Sequence, residues 1–154
     1  MRTAMLLLVT TILLAQGPDP TPEQIEAAKP KTVGTMSQLM VDLIYPTSND
    51  LFYIFREPPE NDVAWGKIKL SALTMAESAN LLMAPERSRG DKWNVDAKLL
   101  LDVGRKAYVA SVAKDWKAIE ALNDELNTAC VTCHQDFRPI FQKGKGGKGK
   151  AKQK

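Results

Sequence analysis

Between residues 31 and 140 the apolar side chains return at alternating intervals of three and four, and this period limits the possible folds more than any other feature. Such spacing lines one face of a helix, whereas a half-buried strand alternates at every second residue. A first seam holds Val33, Met36, Met40 and Leu43. Pro46 is expected to interrupt it at Tyr45, because the proline ring crowds the turn before it. After "PTSND", residues 51–55 ("LFYIF") read as a buried helical turn in preference to a short strand. A second helix opens at the cap-rich "ENDVAW" and carries Trp65, Ile68, Ala72, Met75, Ala79 and Leu82 before Pro85. A third opens near Asn94 and runs to about Ala113, with Leu99, Val103, Ala107 and Ala110 on one face. The fourth, capped by Asp115, carries Ile119, Leu122, Leu126, Cys130, Cys133 and Phe137 until Pro139 stops it. Four amphipathic helices of this kind pack at shallow angles around one core, so the expected fold is all-α, an antiparallel four-helix bundle. Trp65, Trp93 and Trp116 stand at the starts of the second, third and fourth helices and read as a packed layer, with a place beside a cofactor as the alternative.

The 154 residues suffice for one such core. The flanks have a different character. Arg2 precedes an apolar run from Ala4 to Ala15, too short for a stable membrane span and of the length of a secretory signal, so 1–17 is expected to direct export. Ala15 and Gly17 form a small-x-small cleavage pattern, although Pro18 would follow the cut; an uncleaved signal anchor is the alternative. Residues 18–30 carry four prolines and no apolar period, and are expected to be an extended linker. From 141 to 154 the chain alternates glycine and lysine and is expected to be disordered. Six of the 21 basic residues lie in the last twelve positions, leaving 15 against 18 acidic residues elsewhere. The body is therefore mildly acidic, and a nucleic-acid partner is not expected. The lysine tail is a candidate for weak, salt-sensitive contact with anionic lipid or an acidic partner, and otherwise serves as a solubilising tail.

The chemistry lies in "NTACVTCHQDFRP", residues 127–139, which holds both cysteines, Cys130 and Cys133, and the sole histidine, His134. A redox dithiol wants its first cysteine at a helix N-terminus after a strand, and here the pair falls near the end of a long helix. A structural zinc site wants four ligands, and this chain supplies two thiols and one imidazole. A disulfide between positions i and i+3 of a helix has poor geometry. Covalent attachment of one c-type haem asks only for what is present. The two thiols add across the two vinyl groups, and the histidine that follows becomes the proximal iron ligand. Export agrees, because haem is joined to such motifs outside the cytoplasm.

With His134 used, a second histidine cannot ligate the iron. The candidates for the sixth position are the thioethers of Met36, Met40, Met75 and Met83, each of which has core filling as its alternative role. Met36 and Met40 lie one helical turn apart on the apolar face of the first helix. Arg87 and Arg89, in "PERSRGDKW", are candidates to reach a haem propionate and otherwise read as loop charges.

A C-x-x-C-H near the end of the last helix, in "CVTCHQDFR", resembles the C-x-x-C-H-x-x-[YF]-R ending of class II c-type cytochromes, the cytochrome c′ and cytochrome c-556 group. "LMVDLIYPTSNDLFYI" and "AWGKIKLSALTMAESANLLM" are similar to segments of a set of bacterial periplasmic cytochrome-c-like proteins. The resemblance covers about 31–140 and implies a four-helix bundle with a covalently bound haem. It further implies that a first-helix residue faces the distal side, a methionine ligand in the c-556 kind and a non-ligating apolar residue in cytochrome c′. Met40 is the first choice for that place and Met36 the second. The resemblance also points to Arg138 as a cation beside the haem, with a helix-end charge completing the dipole as the alternative. The sequence departs from the group at Ser37 and Gln38, where an Arg-Gln pair is usual.

The expected function is that of a periplasmic electron carrier with a six-coordinate His/Met haem, and not an enzyme. A protein like cytochrome c′, with an open distal side that binds nitric oxide or carbon monoxide, is the alternative. Redox partner proteins are expected, and a homodimer stands as an open alternative to a monomer.

Overall fold

The structure, a computed structural model, describes residues 19–29 and 31–138. The export signal expected at 1–17, the tail at 141–154, and Pro18, Pro30 and Pro139 lie outside the described residues. Among the described residues the fold is all-α, without a strand, and no helix is long and apolar enough to cross a membrane. The chain divides into a unit of residues 1–31 and a unit of residues 32–154.

In the first unit the expected extended linker is corrected. Helix α1 (Pro22–Ala27) forms there, opened by a reciprocal cap in which Thr21 Oγ1 accepts from Gln24 N and Gln24 Oε1 accepts from Thr21 N. Pro22 at the first helical position costs no hydrogen bond, and the cap satisfies two of the free N–H groups. Its residues are all exposed, so local capping rather than packing defines it.

The second unit opens with a continuous helical run made of α2 (Met36–Gln38), a π segment (Leu39–Ile44) and α3 (Tyr45–Phe52). Pro46 therefore does not interrupt the helix at Tyr45. The wider π turn precedes the proline, with Tyr45 N bonded back to Met40 O, and Thr47 Oγ1 donates to Leu43 O (2.6 Å) and Ile44 O (3.1 Å). The Thr47 hydroxyl thus bonds back to the two carbonyls one turn before it, beside the proline. The π turn also changes which residues share a face. Leu39 and Ile44, five apart, are buried, while Leu43 is 39% exposed and Val33 is fully exposed. The expected seam through Val33 and Leu43 is corrected accordingly. Residues 51–55 are helical as expected: α3 ends at Phe52, and a 3₁₀ turn (Ile54–Arg56) buries Ile54.

Helix α4 (Asp62–Met83) is capped by Asn61, whose Oδ1 accepts from Ala64 N at 3.0 Å, and it buries all six residues expected on its face. Helix α5 (Asp91–Val112) starts three residues earlier than expected, at Asp91, after the N-cap Gly90, whose φ of +100° favours glycine. With that start, Trp93, Ala97, Leu100, Val103 and Ala107 face inward, and Leu99, expected in the core, is 38% exposed. Helix α5 closes with a Schellman motif: Asp115 N donates to Ala110 O (3.0 Å) and Lys114 N to Ser111 O (3.2 Å), with Lys114 left-handed at φ +55°.

The single helix expected after Asp115 is two. Asp115 does cap, accepting from Ala118 N, but α6 (Trp116–Glu120) ends in a turn, and α7 (Asn123–Phe137) starts anew. Asn123 Nδ2 donates to Phe52 O (3.2 Å) and so joins the start of α7 to the end of α3. Helices α4 and α5 form the most extensive pair, α7 packs on α5, and α3 and the π segment pack on α4. Where Gly104 of α5 faces α4, a Cβ placed on it would stand 3.0 Å from Ala76 backbone, tighter than an ordinary packing contact, so a side chain there would press the helices apart. Trp65 and Trp93 are buried and Trp116 is partly buried against the same core.

Candidate functional site

Helix α7 positions the three residues of the motif. Leu126, Ala129 and Cys133 recur at intervals of three and four and are buried; Cys130 and His134 lie half-buried beside them. Both cysteines are free thiols. Burial pushes both upward: Cys130 is raised above the usual thiol range, and Cys133 reaches about 11, with the carboxylates of Asp96 and Asp136 adding to burial and Arg89 opposing it. His134 is held below its ordinary value by burial and then by the charge of Arg138, so its imidazole is neutral near pH 7. The donor set is thus two protonated free thiols and a neutral imidazole with its lone pair available. That chemistry fits a c-type haem held by Cys130 and Cys133 with His134 as the axial ligand. Among the described residues no three His, Cys, Asp or Glu side chains are grouped to hold a metal ion by themselves.

An aromatic and charged layer closes the end of α7. The Phe137 ring meets the Trp93 ring edge-on, with centroids 5.0 Å apart and planes at 80°. Trp93 Nε1 donates to Leu82 O at 2.6 Å, serving one of the last carbonyls of α4. The Arg89 guanidinium lies 4.8 Å above the Trp93 ring, and its Nη1 reaches Phe137 O at 3.5 Å. Arg87 is turned elsewhere, donating to Gly34 O at 3.0 Å. Behind the thiols, Lys92 Nζ bonds both oxygens of buried Asp96 (3.0 and 3.2 Å) and Asp136 of α7 (2.8 Å). The two carboxylates, Asp136 first, hold the Lys92 ammonium above the usual lysine range.

The sequence-predicted residues are thus distributed over two regions. Cys130, Cys133 and His134 share one stretch of α7, and Arg138 follows at its C-cap with its N–H bonded to His134 O. Met36 and Met40 are half-buried against the core on the first helical run, Met83 likewise at the end of α4, and Met75 is fully enclosed. The π segment that carries Met40 packs chiefly on α3 and α4, and α7 chiefly on α5. A groove of about 700 Å³ between α5 and α7 reaches Thr128 and Ala129 but is not lined by Cys130, Cys133 or His134. Asp96, Lys92 and Asp136 escaped the sequence reading. Asp96 lies at core spacing between Trp93 and Leu100, and an acidic residue on an apolar face was the signal that could have found it.

Scans against protein-family models, curated proteins and solved structures each find no match to this chain.

Proposed function

We propose that this chain is an exported c-type cytochrome that carries electrons in the periplasm and is not itself an enzyme. One haem is bound through Cys130 and Cys133, with His134 as proximal ligand and Met40 as distal ligand. In this reading the Met36–Phe52 run, α4, α5 and α7 are the four helices of an antiparallel bundle, and export follows from the apolar run of 4–15. The observation that carries the proposal is the pair of free thiols one helical turn apart, followed at once by the sole, neutral histidine on the last described helix.

When bound, haem supplies a one-electron iron couple. The chain supplies the rest. Cys130 and Cys133 tether the ring at two points, so its orientation is fixed without affinity. His134 offers a lone pair from a helical position, and the Trp93 ring packs edge-on against Phe137 at the end of α7. The tail of 141–154 contacts an acidic redox partner or anionic lipid weakly.

A second reading, an open distal side that takes nitric oxide or carbon monoxide, is favoured by one observation: Met40 is partly buried in a segment that packs chiefly on α3 and α4 rather than on α7. Absorption spectra of the reduced and oxidised haem-loaded protein decide between the two. A methionine-to-iron band that disappears in Met40→Ala supports the carrier, and a band surviving that change but lost in Met36→Ala moves the ligand one turn. A high-spin spectrum that shifts on adding carbon monoxide supports the open site.

A further inference from the structure

Among the described residues, Asp96 is the charged side chain that the fold buries, at 2% exposure. A buried ion pair is a weak source of stability, because well-packed apolar residues often replace one without loss. Its position, however, is specific. Asp136 lies on α7 two residues after His134, Lys92 Nζ bonds it and the buried Asp96 of α5, and Arg89, just before α5, reaches Phe137 O on the same turn of α7. We infer that Asp96, Asp136, Lys92 and Arg89 form a charge set that fixes the reduction potential of the haem held at Cys133. The two carboxylates lower the potential and the two cations raise it. The inference rests on the haem reading.

A haem joined at Cys133 and ligated by His134 would lie beside the turn of α7 that carries Asp136. Charges fixed on that turn, or bonded to it, would act on the iron through partly buried, low-dielectric surroundings. The iron centre gains one unit of negative charge when it takes up its electron. A nearby carboxylate disfavours that gain, and a nearby cation favours it. Lys92 and Arg89 offset Asp96 and Asp136, so the potential depends on the balance within the set, and each neutralisation shifts it with the sign of the charge removed. Lys92 has a further positioning role, since its two bonds join α5 to the helix that carries the motif.

The test is an equilibrium redox titration, followed by absorbance, of the full-length haem-loaded protein and of Asp96→Asn and Arg89→Gln. The Asp96→Asn potential is expected above that of the parent and the Arg89→Gln potential below it, with the axial-ligand bands unchanged in both. A structural role alone would move both variants the same way or neither. Either result, with haem retained, overturns the inference. If Asp96→Asn does not accumulate as folded protein, Asp136→Asn takes its place with the same upward shift expected, because Asp136 is only partly buried. Should the parent carry no haem after denaturation, the functional reading falls with the inference, and that failure is visible before any potential is measured.

Discussion

Replacing Trp93 with phenylalanine tests how the end of α7 is held, because this one side chain touches three elements. Its Nε1 serves Leu82 O at the end of α4, its ring meets Phe137 of α7, and its face carries Arg89. Phenylalanine keeps an aromatic ring but removes the donor, leaving a buried carbonyl without a partner at a cost of about 1–3 kcal/mol. The smaller ring also leaves unfilled volume in a site that is 2% exposed, worth about 1 kcal/mol more. For a folded unit of this size, each kcal/mol lowers the melting temperature by about 4 °C. Thermal unfolding followed by circular dichroism should therefore place Trp93→Phe roughly 8–16 °C below the parent. Phe137→Leu, which removes only the edge-on pair, should lose about 0.5–1.5 kcal/mol beyond its area term, and the double variant should show coupling between the two. A Trp93→Phe protein within about 0.5 kcal/mol of the parent would refute the assignment of the indole as the cap of α4.

Lys114→Gly should raise stability by about 0.5–1 kcal/mol in urea unfolding, because glycine relieves the left-handed conformation and the lost ion pair to Asp62 is exposed and weak. A net loss would mean that the ion pair outweighs the backbone. Gly104→Val should destabilise by at least about 2 kcal/mol, since even its Cβ would meet Ala76 backbone at 3.0 Å; an unchanged urea midpoint would contradict the close approach of α4 and α5. In the haem-free chain, alkylation of Cys133 should keep accelerating with pH beyond 9 and reach half its limiting rate only near pH 11. A raised pKa keeps the thiol protonated over that window, and only the thiolate reacts. A half-maximal rate near pH 9, read by mass spectrometry of the labelled peptides, would show that burial and the Asp96 charge do not act on this sulfur.

The all-helical class was legible because long apolar seams leave little choice of partner: every residue expected on the inner face of α4 is buried there. The first helix was misread for a reason that period alone cannot supply. A proline ordinarily ends a run, but here a wider π turn precedes it and the helix continues, exchanging Leu43 for Ile44 at the core. Likewise, Leu99 and Leu100 are adjacent and equally apolar, so the choice between them depends on where Gly90 starts α5. The break between α6 and α7 has no proline or glycine to announce it. The motif on α7 was readable because its chemistry resides in adjacent positions. The charge set behind it was not, since Lys92, Asp96 and Asp136 meet only once α5 and α7 pack together.

The central claim concerns a covalent bond, and the intact mass of the full-length protein, produced where haem can be joined to thiols and then fully denatured, tests it most directly. The expected result is a chain heavier by one haem, with the addition lost in Cys130→Ala/Cys133→Ala. A mass equal to that of the bare polypeptide, with both thiols still open to alkylation, would contradict it.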